Sequence, residues 1–212
     1  MPVIDLTQMV TNGMPVFPGS GPVIVKRVSN LDSEGYNELR MEISTHTGTH
    51  IDCGLHLLEE GFDTVMTETQ RFYGKGLVID CRSIPHNGII TVEVLQPYES
   101  VIRQSEFVIF KTGWSRFWSD PQYFSDFPVL DDKAAAYLAC FSLKGTGVDA
   151  PGFDPVDSVK LSVHKALLSK GIVLIENLTN LDALPDKGFI FCCFPLKIKG
   201  GDGSPVRAVG IV

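Results

Sequence analysis

Short apolar runs, three to five residues long and bounded by glycine, proline or charged residues, recur along this chain. Runs of that length between turn signals predict buried strands. They lie at residues 76–80, 107–110, 147–149, 172–175 and 189–193. A further short strand is expected at 3–6. After it, Pro15, Pro18, Gly19, Gly21 and Pro22 predict a loop. Residues 22–28 and 38–45 read as two strands around the polar turn Asn30-Leu31-Asp32-Ser33-Glu34-Gly35. Helices fit between the later runs, at 91–95, 130–141 and 158–170. The second begins at Asp131-Asp132, a favourable acidic start, and the third runs from Ser158 to a stop at Gly171. A β-rich first half and an alternating second half predict one α/β domain over residues 1–212, with helices packed on a mixed sheet.

Composition narrows the partners. The chain has 212 residues, 44% of them hydrophobic, and a net charge of −7. That suits a globular domain and argues against nucleic acid or an anionic membrane surface as a partner. No apolar run approaches the ~20 residues of a membrane span. The start, Met1-Pro2-Val3-Ile4-Asp5-Leu6, does not read as a signal peptide. Five cysteines, Cys53, Cys81, Cys140, Cys192 and Cys193, make no C-x-x-C pair, so reduced thiols in a cytoplasmic protein are expected.

The candidate chemistry sits in Ser44-Thr45-His46-Thr47-Gly48-Thr49-His50-Ile51-Asp52-Cys53-Gly54-Leu55-His56, which holds three of the five histidines. The β-branched threonines and the central glycine disfavour helix and predict an extended segment. In a strand, His46, His50, Asp52 and His56 would share one face. His50 and Asp52 would then stand roughly 6.6–6.8 Å apart, and a bend near Gly48 would be needed to bring in His46. Cys53 would face the other way. Imidazole and carboxylate at this density suit a divalent metal better than plain burial.

Two distant residues extend the set. His164 shares a side of its helix with Leu161 and Leu168, which fits either a core histidine or a ligand. Glu176 ends the apolar run before it, and a carboxylate there calls for a cation. His46, His50, Asp52, His164 and Glu176 could serve one or two ions with Asp52 between them, leaving His56 as a free base. Phe17, Trp114 and Trp118 could line a substrate pocket or simply fill core. His86 is expected on the surface.

His46-Thr-Gly-Thr-His-Ile-Asp52 followed by His56 resembles the signature of the cyclase-like metal-dependent hydrolases, which include bacterial kynurenine formamidases and isatin hydrolases. Supporting blocks are Ile4-Asp5-Leu6-Thr7, Met14-Pro15-Val16-Phe17-Pro18-Gly19, Lys111-Thr112-Gly113-Trp114, Gly147-Val148-Asp149-Ala150-Pro151, Glu176-Asn177-Leu178-Thr179-Asn180-Leu181, and the 195–207 segment. The resemblance implies a swivelling β/β/α-type fold, a homodimer or homotetramer, metal ligands at His46, His50, Asp52, His164 and Glu176, and a catalytic histidine at His56. Gly54 and Gly152 depart from the proline and serine of that pattern.

The expected activity is hydrolysis of a C–N bond in a small amide, formamide or lactam, with zinc or manganese as cofactor and His56 moving protons. Two alternatives use the same residues. His50-Ile51-Asp52 with a distal histidine would make an iron(II) oxygenase triad, which belongs on a jelly roll. A structural metal site would make the chain a non-catalytic binding module.

Overall fold

The computed structural model describes residues 1–212. Its strands are β1 (Val3–Asp5), β2 (Ile24–Ser29), β3 (Glu38–Glu42), β4 (His50–Asp52), β5 (Tyr73–Asp80), β6 (Ile89–Ile90), β7 (Phe107–Lys111), β8 (Val129–Leu130), β9 (Gly145–Val148), β10 (Val173–Glu176), β11 (Lys187–Cys192), β12 (Gly203–Pro205) and β13 (Val209–Ile211). The helices are short: α1 (Leu31–Glu34), α2 (Val92–Leu95), α3 (Glu99–Ile102), α4 (Asp132–Leu138) and α5 (Ser162–Leu168).

Nine strands form one sheet in the order β1-β13-β11-β5-β7-β9-β10-β4-β12. The central four, β5, β7, β9 and β10, are parallel, and every strand pair in the two wings is antiparallel. Strands β7, β9 and β10 are buried throughout, which is why residues 107–110 and 173–175 are unbroken apolar runs.

The sheet cannot be flat. Strands β12 and β13 stand seven places apart in it, roughly 34 Å at ~4.8 Å per strand. Only Val206, Arg207 and Ala208 join them, a reach of at most about 14 Å. The sheet therefore curls until its wings approach. The Leu6 amide, just after β1, donates to Ala208 (2.9 Å), and the Leu6 carbonyl accepts from Thr179 beyond β10 (3.0 Å).

Alternate residues of the central strands feed two cores. Leu77, Ile79, Val108 and Phe110 pack outward against Ala134 and Leu138 of α4 and Val163 and Leu167 of α5. Val78, Phe107, Ile109 and Ile175 fill the inside of the curl with Ile51, Phe191 and Ala208.

The predicted apolar strands and the later helices form, while the histidine segment, the 30–35 turn and several bounds differ. The histidine segment is not one strand: only His50–Asp52 pairs, and Gly48 turns the chain at φ +62°. His56 lies in a single 3₁₀ turn, Gly54–His56, so strand parity does not aim it. Helix α5 starts at Ser162 rather than Ser158, whose hydroxyl instead accepts the Leu161 amide (3.2 Å) in a local turn. The 22–28 and 38–45 segments pair as β2 and β3 in a separate two-stranded sheet, and the turn between them closes as α1.

Candidate metal centre

Strand pairing assembles the centre. Antiparallel pairing of β4 with β10 sets His50 opposite Glu176 and Asp52 opposite Leu174. Helix α5 precedes β10 and runs back along the sheet. Its first turn therefore sits at the strand's C-terminal end, bringing His164 to Glu176 with Nε2 3.0 Å from Oε1. This is the end where parallel sheets place their sites.

Each inner histidine has one nitrogen engaged and one free. His50 Nδ1 contacts the Gly48 carbonyl at 2.9 Å, and Asn177 Nδ2 donates to the same oxygen at 2.9 Å. His50 Nε2 then faces Asp52 Oδ1 (3.3 Å) and Glu176 Oε2 (3.4 Å). His164 Nδ1 is held by Asp154 at 2.5 Å, leaving Nε2 beside Glu176 and 3.7 Å from Asp52 Oδ2. Fixing one nitrogen so that the other presents its lone pair is how ligand histidines are held.

His46 lies on the other side of Asp52, with Nδ1 2.8 Å from Oδ1, and its Nε2 meets Asp202 at 2.9 Å. His56 stacks on His46 with ring centroids 4.1 Å apart, its Nδ1 3.7 Å from Asp202. Two triads of donor atoms result, His50-Asp52-Glu176 and His46-Asp52-His56, and they share Asp52. The second triad puts His56 within reach of an ion as well as of a substrate.

The electrostatics ask for positive charge. Asp52 and Glu176 are 1% and 6% exposed, and the cavity wall carries imidazoles and carboxylates but neither lysine nor arginine. Burial would lower the His46 pKa, yet hydrogen bonds and charge from Asp52 and Asp202 raise it to about 9. His164 behaves alike: burial is outweighed by Asp154 and Glu176, and it reaches about 10. His56 is different, because burial dominates and lowers its pKa. A donor set of imidazole and carboxylate, buried and short of cations, fits a divalent ion. Cys53 stays apart, inside the curl, where burial and nearby carboxylates raise its thiol to about 12.

A cavity of about 290 Å³ opens onto this cluster. Phe17, Trp118, Phe124 and Phe127 line it, and Phe17 meets Phe124 edge-on at 6.0 Å. Trp114 does not line it. Its ring is 2% exposed in the outer core, and its indole N–H donates to the Tyr123 carbonyl at 2.8 Å. The T-G-W element thus places a core tryptophan, satisfied within the protein. His86 is exposed and lies edge-on to Trp114 at 4.8 Å.

A profile of the cyclase family, described as "Putative cyclase", matches residues 4–155. The chain belongs to the cyclase family of metal-dependent hydrolases. As a member it is an enzyme of the amidohydrolase type. It is 34% identical over 206 residues to the kynurenine formamidase of Erythrobacter litoralis (strain HTCC2594), covering 97% of this chain and 91% of that one. To the kynurenine formamidase of Salinibacter ruber (strain DSM 13855 / M31) it is 34% identical over 213 residues, with 99% and 97% covered. Isatin hydrolase A from Labrenzia aggregata superposes with a TM-score of 0.90 at 26% identity, covering 100% and 93%. The family fold is therefore this curled mixed sheet with few helices.

Asp154 and Asp202 escaped the sequence reading. Asp154 lies ten residues before His164, and Asp202 lies 156 residues after His46. Asp202 sits in a Gly-Gly-Asp-Gly run that also reads as a simple turn. Nothing local marks either carboxylate as a partner of a histidine.

Proposed function

We propose that this chain hydrolyses the C–N bond of a small amide, formamide or lactam, using a divalent metal, zinc or manganese. The supporting observation is the convergence of His50, Asp52, His164 and Glu176, with both Nε2 atoms freed by Gly48 and Asp154. Those four residues would hold one ion, and His46 would hold a second by sharing Asp52. Such an ion polarises a carbonyl and acidifies water.

The chain's own groups supply the rest. In the reaction water adds to the carbonyl carbon, the C–N bond breaks, and the nitrogen leaves with a proton. His56, with its pKa held down by burial, is a free base at neutral pH and suits proton transfer to that nitrogen. Asp202, hydrogen-bonded to His46, adds negative charge 3.7 Å from the His56 Nδ1. The aromatic wall of Phe17, Trp118 and Phe124 shields the carbonyl from bulk water and stacks on planar substrates.

The oxygenase alternative loses its scaffold, since the central strands are parallel and no jelly roll is formed. We also take the chain to act as a homodimer or homotetramer in the cytoplasm. Exposed apolar residues on β2 and β3, among them Ile24, Leu39 and Met41, support a subunit contact. No helix is long and apolar enough to cross a membrane. Elemental analysis of the purified protein, joined to a hydrolysis screen of formamides, lactams and cyclic imides, tests the reading. Protein carrying no divalent metal and hydrolysing none of them would reject it.

A further inference from the structure

We infer that Tyr123 is a positioning residue for the metal centre: its hydroxyl fixes the amide of Asn177, and through Gly48 that amide fixes which nitrogen of His50 faces Asp52 and Glu176. The inference rests on the metal-centre reading and adds two residues to it. The Tyr123 side chain is fully buried, and its O–H donates to Asn177 Oδ1 at 2.8 Å. Asn177 Nδ2 and His50 Nδ1 both lie 2.9 Å from the Gly48 carbonyl oxygen, and 3.4 Å from each other. Both donate to that oxygen, so the His50 proton sits on Nδ1 and the Nε2 lone pair is left for an ion.

The backbone of Asn177 is pinned, which leaves only its amide orientation to be decided. Its N–H donates to the Ala150 carbonyl (3.0 Å), its carbonyl accepts from the Thr49 hydroxyl (2.6 Å), and its φ of +57° is one that asparagine tolerates. The terminal amide torsion is broad and two-fold, so a donor at Oδ1 is what selects between its two states. Flipped, Oδ1 would face the Gly48 oxygen and compete with it for the His50 N–H, swinging Nε2 away from Asp52 and Glu176. Tyr123 is itself anchored. The Trp114 indole N–H donates to its carbonyl at 2.8 Å, and its ring lies edge-on to Trp118 and Phe124 at 5.0 and 5.2 Å. The hydroxyl thus ties the aromatic wall of the cavity to the histidine of β4.

The test removes the hydroxyl and keeps the ring. In Tyr123→Phe, Oδ1 loses its buried donor. Zinc affinity, titrated on metal-free protein against a chromophoric chelator, should then fall roughly tenfold, the lower end of what outer partners of ligand histidines contribute. Asn177→Gly, which suits the same backbone, should lose at least as much. Adding Tyr123→Phe to Asn177→Gly should change affinity by less than about twofold, because the path from Tyr123 to His50 is already cut. In zinc-loaded Tyr123→Phe, the His50 Nδ1 proton should also exchange with solvent faster than in wild type, a reading independent of whether Asn177→Gly folds. Wild-type zinc affinity or unchanged exchange in Tyr123→Phe, or losses that add in the double variant, would overturn this inference and leave the metal-centre reading standing. Wild-type protein that binds neither zinc nor manganese would overturn both.

Discussion

His50 and Glu176 stand opposite one another in the antiparallel β4–β10 pair, with Nε2 3.4 Å from Oε2. Their side chains project from a backbone ladder, so their separation is set by strand register and not by loop conformation. A one-residue slip would put the two on opposite faces. A buried strand pair thus fixes the part of the centre that would bear an ion.

Asp154 both caps α5 and orients His164. It accepts from the amides of Val163 (3.2 Å) and His164 (3.0 Å) as well as from the ring. Asp154→Ala should lower stability by about 1–2 kcal/mol through the lost cap. It should also weaken metal affinity by roughly 10–100-fold through the lost orientation. Thermal melts and metal titration separate the two effects, and unchanged metal affinity would show that His164 needs no partner.

His56 is expected to move protons while Asp52 organises the ions. His56→Ala should retain metal content and lose turnover by ~10²–10⁴, whereas Asp52→Ala should lose both. The second triad makes the contrast informative. If His56→Ala halves the bound metal, His56 is a ligand and its proton-transfer role passes to another group.

Gly54 is required by packing. Its φ is unexceptional, but a Cβ there would lie 2.7 Å from the Phe62 nitrogen and 3.0 Å from the Gly61 Cα. Gly54→Ala should therefore cost about 1–3 kcal/mol of overpacking. Because Gly54 starts the turn that carries His56, the variant should lose activity in the folded fraction as well. A melting temperature equal to wild type would refute the contact.

Metal binding should displace protons. The carboxylates outweigh burial and hold His46 near 9 and His164 near 10, so both rings are protonated at pH 7 without metal. Ions compete with those protons, so affinity should fall as pH falls. Titration calorimetry in two buffers of different ionisation enthalpy should report proton release at pH 7; identical heats would contradict it.

The glycine between His46 and His50 shows how far sequence alone reached. The need for a bend between His46 and His50 was legible from spacing, and Gly48 supplies it at φ +62°. The extent of the strand was not, because threonines that favour strands also accept loops. Thr49 lies before β4, where its hydroxyl donates to the Asn177 carbonyl at 2.6 Å instead of standing idle on a strand face. Trp114 and Trp118 differ only by context: one is enclosed by Phe117 and Phe127, the other packs on Tyr123 and opens on the cavity. Periodicity over a few residues cannot separate those fates.

The sequence by itself determined residue chemistry and local period. It set an α/β alternation, unbroken apolar runs for strands buried on both sides, and a density of imidazole and carboxylate that water alone does not justify. Tertiary structure decided which distant groups meet. Asp154 meets His164 by binding the first turn of α5 from the preceding loop, and Asp202 meets His46 and lies 3.7 Å from His56 because β12 pairs with β4. Such contacts depend on the path of a loop and on one long-range strand pairing, and so leave no trace in the spacing of any short stretch of chain.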